Sequence, residues 1–377
     1  VNDAEMESNM DIKINELSAK TFNWLGMNES VVKDVPEFEC GSMVVTTPDE
    51  VTCERELVDS IALSGIDKET SGMGRDIDEL ISDSGVNSFV LKTKPGITSS
   101  KPAIVKVPAD AGTINKLVIE TDKDSIITVV MDYLSDSLHD EEKNKMFGVQ
   151  TRIQAGSGSK VNLVQLLRHS SDYSCLNDIG AVLDDNARLN IVQVILDGDK
   201  NYMGCRVVLK GKGGSLKTDI GYMVNNDGRL DMNYEAVHEG KVTESEINAA
   251  GVLKNGAFKL FRGTIDFKKG AAGAVGNEKE DVLLLDDNVV NQTIPIILCA
   301  EEDVEGNHGA TIGELDEQIM LYMQARGLSR EQVYEEMSKA RIKAVCNLIP
   351  DEDTKNMMSD YLEGEQLLEN GGEQENE

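Results

Sequence analysis

The sequence has 377 residues, is 40% hydrophobic and carries 33 glycines, which supports packed cores and excludes wholesale disorder. Its 68 acidic against 37 basic residues leave a formal net charge of −31, which excludes phosphate backbones and anionic lipid surfaces as partners held by bulk charge. Aromatics make up only 4%, so nucleobases would find few stacking platforms, and no apolar run is long enough to span a bilayer.

Residues 1–102 read as a mixed helical and β region. The opening "VNDAEMESNMDIKINEL" shows no basic-then-apolar leader pattern, and the chain is expected to be cytoplasmic. "NELSAKTFNWLGMNES" predicts a short amphipathic helix carrying Phe22, Trp24 and Leu25, with Asn28 and Ser30 available to end it. "GRDIDELISDSG" predicts a second, with Ile77, Leu80 and Ile81 on one face and Gly85 closing it. β-type alternation follows, punctuated by Pro95 and Pro102.

From 103 to 312 short β runs are separated by Gly, Asn and Asp. A turn-plus-strand unit recurs with its first apolar residue at Val161, Leu189, Leu216, Leu230 and Phe258, which gives intervals of 28, 27, 14 and 28. Multiples of about 14 fit a β-solenoid with two strands per coil. An antiparallel sandwich is the alternative, but its tight hairpin signals are few: Asp197-Gly198, Asp227-Gly228 and Asn255-Gly256.

From 313 to 368 the period becomes helical. Leu315, Ile319, Tyr322 and Met323 form one stripe, with Arg326 and Gly327 at its end. Ser329 and Gln332 form a capping box for a second helix, Pro350 stops it, and Asp351 can cap a third. Met337, Ile342, Val345, Leu348, Met357, Met358, Leu362 and Leu367 suggest helices packed face to face. The final "ENGGEQENE", 369–377, is expected to be a disordered acidic tail.

No phosphate-binding loop, dinucleotide fingerprint or nucleophile elbow is present, and the chain is not expected to be an enzyme. The six cysteines (40, 53, 175, 205, 299 and 346) lack CxxC spacing and are expected to be reduced and mostly buried. Of the four histidines, His308 stands among Asn307, Gly309 and Ala310 where β pattern gives way to helix. Small neighbours leave its ring accessible, although an isolated histidine so placed more often serves a structural hydrogen-bonding role.

"LFRGTIDFKKGAAG", "VLLLDDN", "IITVVMDY" and above all "DVEGNHGATIGELDEQIMLYMQARGLS" closely resemble the SufB/SufD family of iron–sulfur cluster assembly proteins, from "TFNWLG" through the helical end. The resemblance implies a mainly β fold, a right-handed parallel β-helix core with an α-helical N-terminal region and a C-terminal helical domain. SufB-type chains carry a cysteine where Val289 stands, and a Glu-His-Glu-Ala-Thr segment where this chain has Asn307-His308-Gly309-Ala310-Thr311. Valine offers no lone pair and glycine no carboxylate, so the pattern resembles the SufD branch, with His308 the cluster or metal candidate.

The resemblance further implies pairing with SufB through the β-helix ends and docking of a SufC ATPase through the C-terminal helices. Arg326, Gly327, Tyr334, Met337 and Arg341 are the candidate contacts. No cofactor is expected on this chain alone: a transient iron–sulfur cluster would form at the SufB interface, and ATP would act through SufC. Cys299 is a minor ligand candidate, since nine residues separate it from His308 and one continuous strand would face the two oppositely unless "EEDVEGN" turns. A SufB-like scaffold working as a homodimer with SufC, using Cys299, is the alternative, and the isolated chain could pair with itself in either case. A solenoid enzyme acting on polysaccharide would want exposed aromatics that this chain lacks.

Overall fold

Strands too short to stand alone become stable by stacking, and this chain stacks them in coils. The computed structural model describes residues 10–21, 23–56, 69–135, 145–196 and 198–369, the side chains of 365–369 excepted. The N-terminal elements are β1 (Met10–Ile14), β2 (Ser30–Val35), β3 (Glu39–Cys40), β4 (Val44–Thr46), β5 (Val51–Glu56) and α1 (Arg75–Asp83). The coils follow as β6 (Ser88–Thr93), β7 (Ala103–Pro108), β8 (Thr113–Thr121), β9 (Ile126–Leu134), β10 (Lys145–Ala155), β11 (Lys160–Leu167), β12 (Tyr173–Leu183) and β13 (Arg188–Ile195). They continue as β14 (Lys200–Leu209), β15 (Ser215–Val224), β16 (Arg229–His238), β17 (Glu244–Leu253), β18 (Phe258–Phe267), β19 (Ala274–Leu284), β20 (Val290–Cys299) and β21 (Val304–Gly313). Helices α2 (Glu317–Gln324), α3 (Arg330–Cys346) and α4 (Glu352–Glu369) complete the chain.

Even strands from β6 to β20 stack parallel in one sheet and odd strands from β7 to β21 in another, so the chain crosses between sheets once per strand. Parallel stacking decides for the solenoid over the sandwich. The recurrence read from sequence is the coil repeat: Val161 lies beside Leu189, and Leu189 beside Leu216. Asp227-Gly228 and Asn255-Gly256 make coil corners instead of hairpins, with Asn255 at φ 51° and Gly256 at φ 78°; Asp197 lies outside the described residues.

One anchor is corrected. Leu230 is in register with Lys259, not Phe258, so this coil is one residue longer. Phe258 turns outward onto Leu17, Met27, Leu260 and Ile294, and Lys259 takes the inward place.

The interior is aliphatic, with Leu163, Ile191, Ile179, Val207 and Met232 in one continuous cluster. A polar ladder threads it: Gln165 donates to Tyr133 Oη (3.0 Å), Asn177 and Gln193 donate to Gln165 Oε1 (2.8 and 2.7 Å), and Tyr234 donates to Gln193. Every member has a partner, which keeps the buried polar groups affordable and fixes the coil register.

The expected helix over 15–30 is absent. The described residues of that stretch form the loop between β1 and β2, with one 3-10 turn (Asn23–Leu25), and Ser30 opens β2. Asn15 adopts φ 55° and Gly26 φ 61°, and the Leu17 N–H bonds to Asn28 O (2.7 Å), which closes a loop where a helix would need continuity. Leu17 and Met27 pack on the sheet while Trp24 is fully exposed at 101%; Phe22 lies outside the described residues.

Ile77 and Ile81 of α1 are buried as read, packing with Ile12, Ile14, Val32 and Val35 on the outer face of the even sheet. There Asp178 of β12 accepts from Met73 N–H (2.8 Å) and Gln150 Nε2 (2.9 Å); Gln150 also donates to Asp78, which lies 3.8 Å from Arg152. Burial, then the Asp78 charge, pushes the Asp178 carboxyl up to about 6, against the pull of its hydrogen bonds. The folded state therefore holds this proton more tightly than the unfolded one. Stability is greatest below the unfolded value and is lost as pH rises through about 6, by roughly 3 kcal/mol for this group. Urea unfolding across that window should show the fall in the wild type and a flatter profile in Asp178→Asn; equal slopes would refute the assignment.

The C-terminal helices follow the sequence closely. The Ser329–Gln332 capping box is formed, and Asp351 Oδ2 accepts from Thr354 N–H (2.8 Å). Helices α3 and α4 do not simply face each other: Ile342, Val345, Met358 and Leu362 pack together on Val130, Val164, Val192 and Val194, the outer face of the odd sheet. Residues 370–377, most of the expected disordered tail, lie outside the described residues. Among the described residues, no helix is long and apolar enough to cross a membrane.

Candidate functional site

Among the described residues, no coil stacks beyond the last one, β20 and β21. Each strand ends its sheet's order, so each presents an unpaired backbone edge, and the inner faces that are covered elsewhere open outward here. Ile312 (44%), in register with the buried Val282, is exposed for that reason, while Val290 (43%) is exposed on the outward phase of Phe258.

His308 sits mid-strand on β21, in register with Glu278 of β19, which is itself in register with Ile247 of the core. This places His308 on the inward phase of the open coil, exposed. The other described histidines are structural: His169 is buried with Nε2 3.0 Å from Asn201 Oδ1, and His238 is buried between Thr243 and Ser245. Burial pulls His238 down to about 4. His139 lies outside the described residues.

Cys299 ends β20 in register with the buried Phe267, so it too stands on the inward phase. The turn between β20 and β21 brings it into the phase of His308 despite the odd spacing. It lies exposed at the turn end of the coil, its Sγ 3.0 Å from Glu301 O. Val289 packs against the core, and Gly309 has open space where a side chain would stand. Cys175, Cys205 and Cys346 are buried, with burial pushing Cys346 up to about 11 and the other two higher. Cys40, Cys53 and Cys299 are exposed, which corrects the expectation of mostly buried thiols, Cys299 included: the first two lie on short N-terminal strands at the margin of the sheet, and Cys299 ends a strand of the open coil.

Behind His308 lies an ionic group that sequence reasoning missed. Lys259, Glu280 and Glu278 are all buried inside the last closed coil. Lys259 Nζ pairs with Glu280 and donates to Thr293 Oγ1 (3.0 Å), and Thr293 donates to Glu280 Oε2 (2.6 Å). Burial pulls the Lys259 ammonium down while Glu280 and Glu278 push it back. Burial, then Glu280, pushes Glu278 up to about 8. The signal was present: "NEKED" alternates in a strand, so Glu278 and Glu280 share a face.

The five candidate docking residues divide. Arg326 and Gly327 close α2, a helix with no buried residue, whose stripe leaves Ile319 and Tyr322 exposed. Tyr334 and Met337 pack on Leu283 and Leu285, and Arg341 pairs with Asp281 (2.8 Å), all within the chain. Arg330 donates to Tyr334 Oη (2.6 Å) beside a cleft of about 550 Å³ between α3 and the coil turns.

Fold and site define a parallel β-solenoid flanked by helices, with its last coil left open around an exposed imidazole. The core domain of SufB and SufD, from the SUF system of iron–sulfur cluster assembly, matches residues 104–340, more than half of the chain, and the chain belongs to this family. It is 24% identical over 284 residues to the iron–sulfur cluster assembly protein SufD of Bacillus subtilis (strain 168), a span of 74% of this chain and 63% of that one. A SufBD family protein of Staphylococcus epidermidis (strain ATCC 12228) is 28% identical over 150 residues, 40% of this chain and 32% of its own. The chain thus spans less than two thirds of the length of these curated relatives.

Proposed function

We propose that the chain is a SufD-like subunit of an iron–sulfur cluster assembly complex, a scaffold partner without catalysis of its own. A SufB solenoid would seat on the open coil, where the free edges of β20 and β21 offer backbone pairing. A SufC ATPase would dock on the C-terminal helices, α2 presenting the unpartnered stripe. The observation that carries this is His308, the exposed histidine on the inward phase of the uncovered coil. The cluster is cargo, held for a time between a SufB thiolate and this imidazole, a neutral ligand that gives it up more readily than thiolate.

The test is co-purification with SufB and SufC from the same organism, followed by anaerobic reconstitution and an absorbance spectrum. The wild-type and His308→Ala complexes should assemble equally, and only the wild type should mature clusters. Cys299, exposed and in the phase of His308, keeps one alternative open: a SufB-like homodimeric scaffold. In that case the chain pairs with itself and holds a cluster that survives His308→Ala but not Cys299→Ala.

A further inference from the structure

Glu278 is 5% exposed, and its Oε2 has no hydrogen-bond partner among the described residues. An unpartnered buried carboxyl oxygen is costly and calls for an explanation. The carboxyl group reaches across the interior to β18, where Gly263 makes the room: a Cβ there would sit 2.3 Å from the Glu278 carboxyl carbon. Lys259 does not satisfy it, since the ammonium is taken by Glu280, Thr293 and Gln292 O.

His308 lies beside Glu278 on the next strand, in register. Neighbouring strands are about 4.8 Å apart and the two residues share the inward face, so their side chains rise from adjacent strands on one side of the sheet at the open end of the core. Gly306 and Ala310, the inward residues on either side of His308, leave the approach open. No group of three or more His, Cys, Asp or Glu side chains suited to a metal ion forms among the described residues, so the chain offers a pair.

We propose that Glu278 and His308 together bind one divalent transition-metal cation at the open end of the solenoid, with its other positions taken by water or a partner's side chains. A carboxylate and an imidazole suit ferrous iron and its cobalt surrogate. The identity of the cation as iron rests on the SufD-like function; the binding of a cation to this pair does not.

The probe is cobalt(II), titrated anaerobically into the purified full chain without partners and followed by its visible absorption. The wild type should bind one equivalent. Glu278→Gln, isosteric and uncharged, and His308→Ala should each weaken binding by at least about tenfold, with circular dichroism unchanged. Binding by Glu278→Gln as tight as wild type overturns the proposal, and so does a wild-type chain that binds no cobalt, even when it co-purifies with SufB. Conversely, cobalt lost in both variants of a chain that ignores SufB supports the pair and sinks the SufD-like function. Should Glu278→Gln not fold, infrared difference spectra decide. Bands of a newly coordinated carboxylate must appear when cobalt is added to the wild type and vanish in His308→Ala; their absence from the wild type overturns the proposal.

Discussion

Replacing Arg262 by alanine is expected to destabilise the protein by about 3–5 kcal/mol, the cost of leaving a buried charge without its partner. Arg262 is fully buried on the outer face of β18. Its guanidinium donates to Asp231 Oδ1 (2.6 Å), to Met27 O (2.8 Å) and to Ser30 Oγ (2.9 Å). Asp231 in turn accepts from Asn15 Nδ2 (2.9 Å), Ser30 and Arg229 (3.2 Å). One cation thus ties the loop and strands of 15–30 to two coils. Arg229 stays beside Asp231 after the substitution, which places the loss toward the lower end of the range.

The distribution of the loss is the sharper test. Amides of Ile12, Ile14 and Val32 should exchange faster in Arg262→Ala, while those of β11 and β13, far from the cluster, keep their protection. Removing Asp231 as well should cost less than the two single losses added, because the second substitution also removes the unpaired charge. A loss below about 1 kcal/mol, in the range of a surface pair, would mean the cluster is decoration.

The coils were legible because stacking repeats one requirement: each strand must present the same inward phase, so apolar residues recur at the coil length. The helix over 15–30 was misread because that requirement is tertiary. Leu17 and Met27 are apolar to fit the outer face of β18 and β20, whereas Trp24 and Leu25 are apolar and yet exposed among the described residues. The site was half legible. His308 was singled out by its small neighbours, yet its phase depended on the turn at 300–303, which spacing alone left open. Lys259 was hidden because Phe258 beside it looked like the better core residue. A lysine in a core phase is explained only once Glu280 is seen across the coil.

That pair gives the second large effect. Lys259→Met keeps much of the volume and removes the cation, leaving Glu280 in the interior with Thr293 (2.6 Å) and Tyr222 (3.4 Å) as donors and Glu278 on the same strand face. The expected cost near neutral pH is again about 3–5 kcal/mol. It should depend on pH with a definite sign. Without the ammonium, a buried carboxylate charge stands in the fold with no cation to offset it, which the unfolded chain in water avoids. The loss is therefore largest where carboxylates are ionised and shrinks as pH falls. Urea unfolding should find the variant closest to wild type at about pH 4–5 and furthest from it at about pH 8.

Lys259→Met combined with Glu280→Gln should recover most of the loss, since a neutral pair of similar volume needs no compensation. A double variant no more stable than Lys259→Met would show that the lysine acts by filling space. The bond to Thr293 and Gln292 O carries the effect onward, because both lie at the start of β20. Loss of Lys259 should therefore loosen the open coil first, with amides of β20 and β21 exchanging faster than those of β16. The buried pair thus anchors the start of β20, one of the two strands of the open coil.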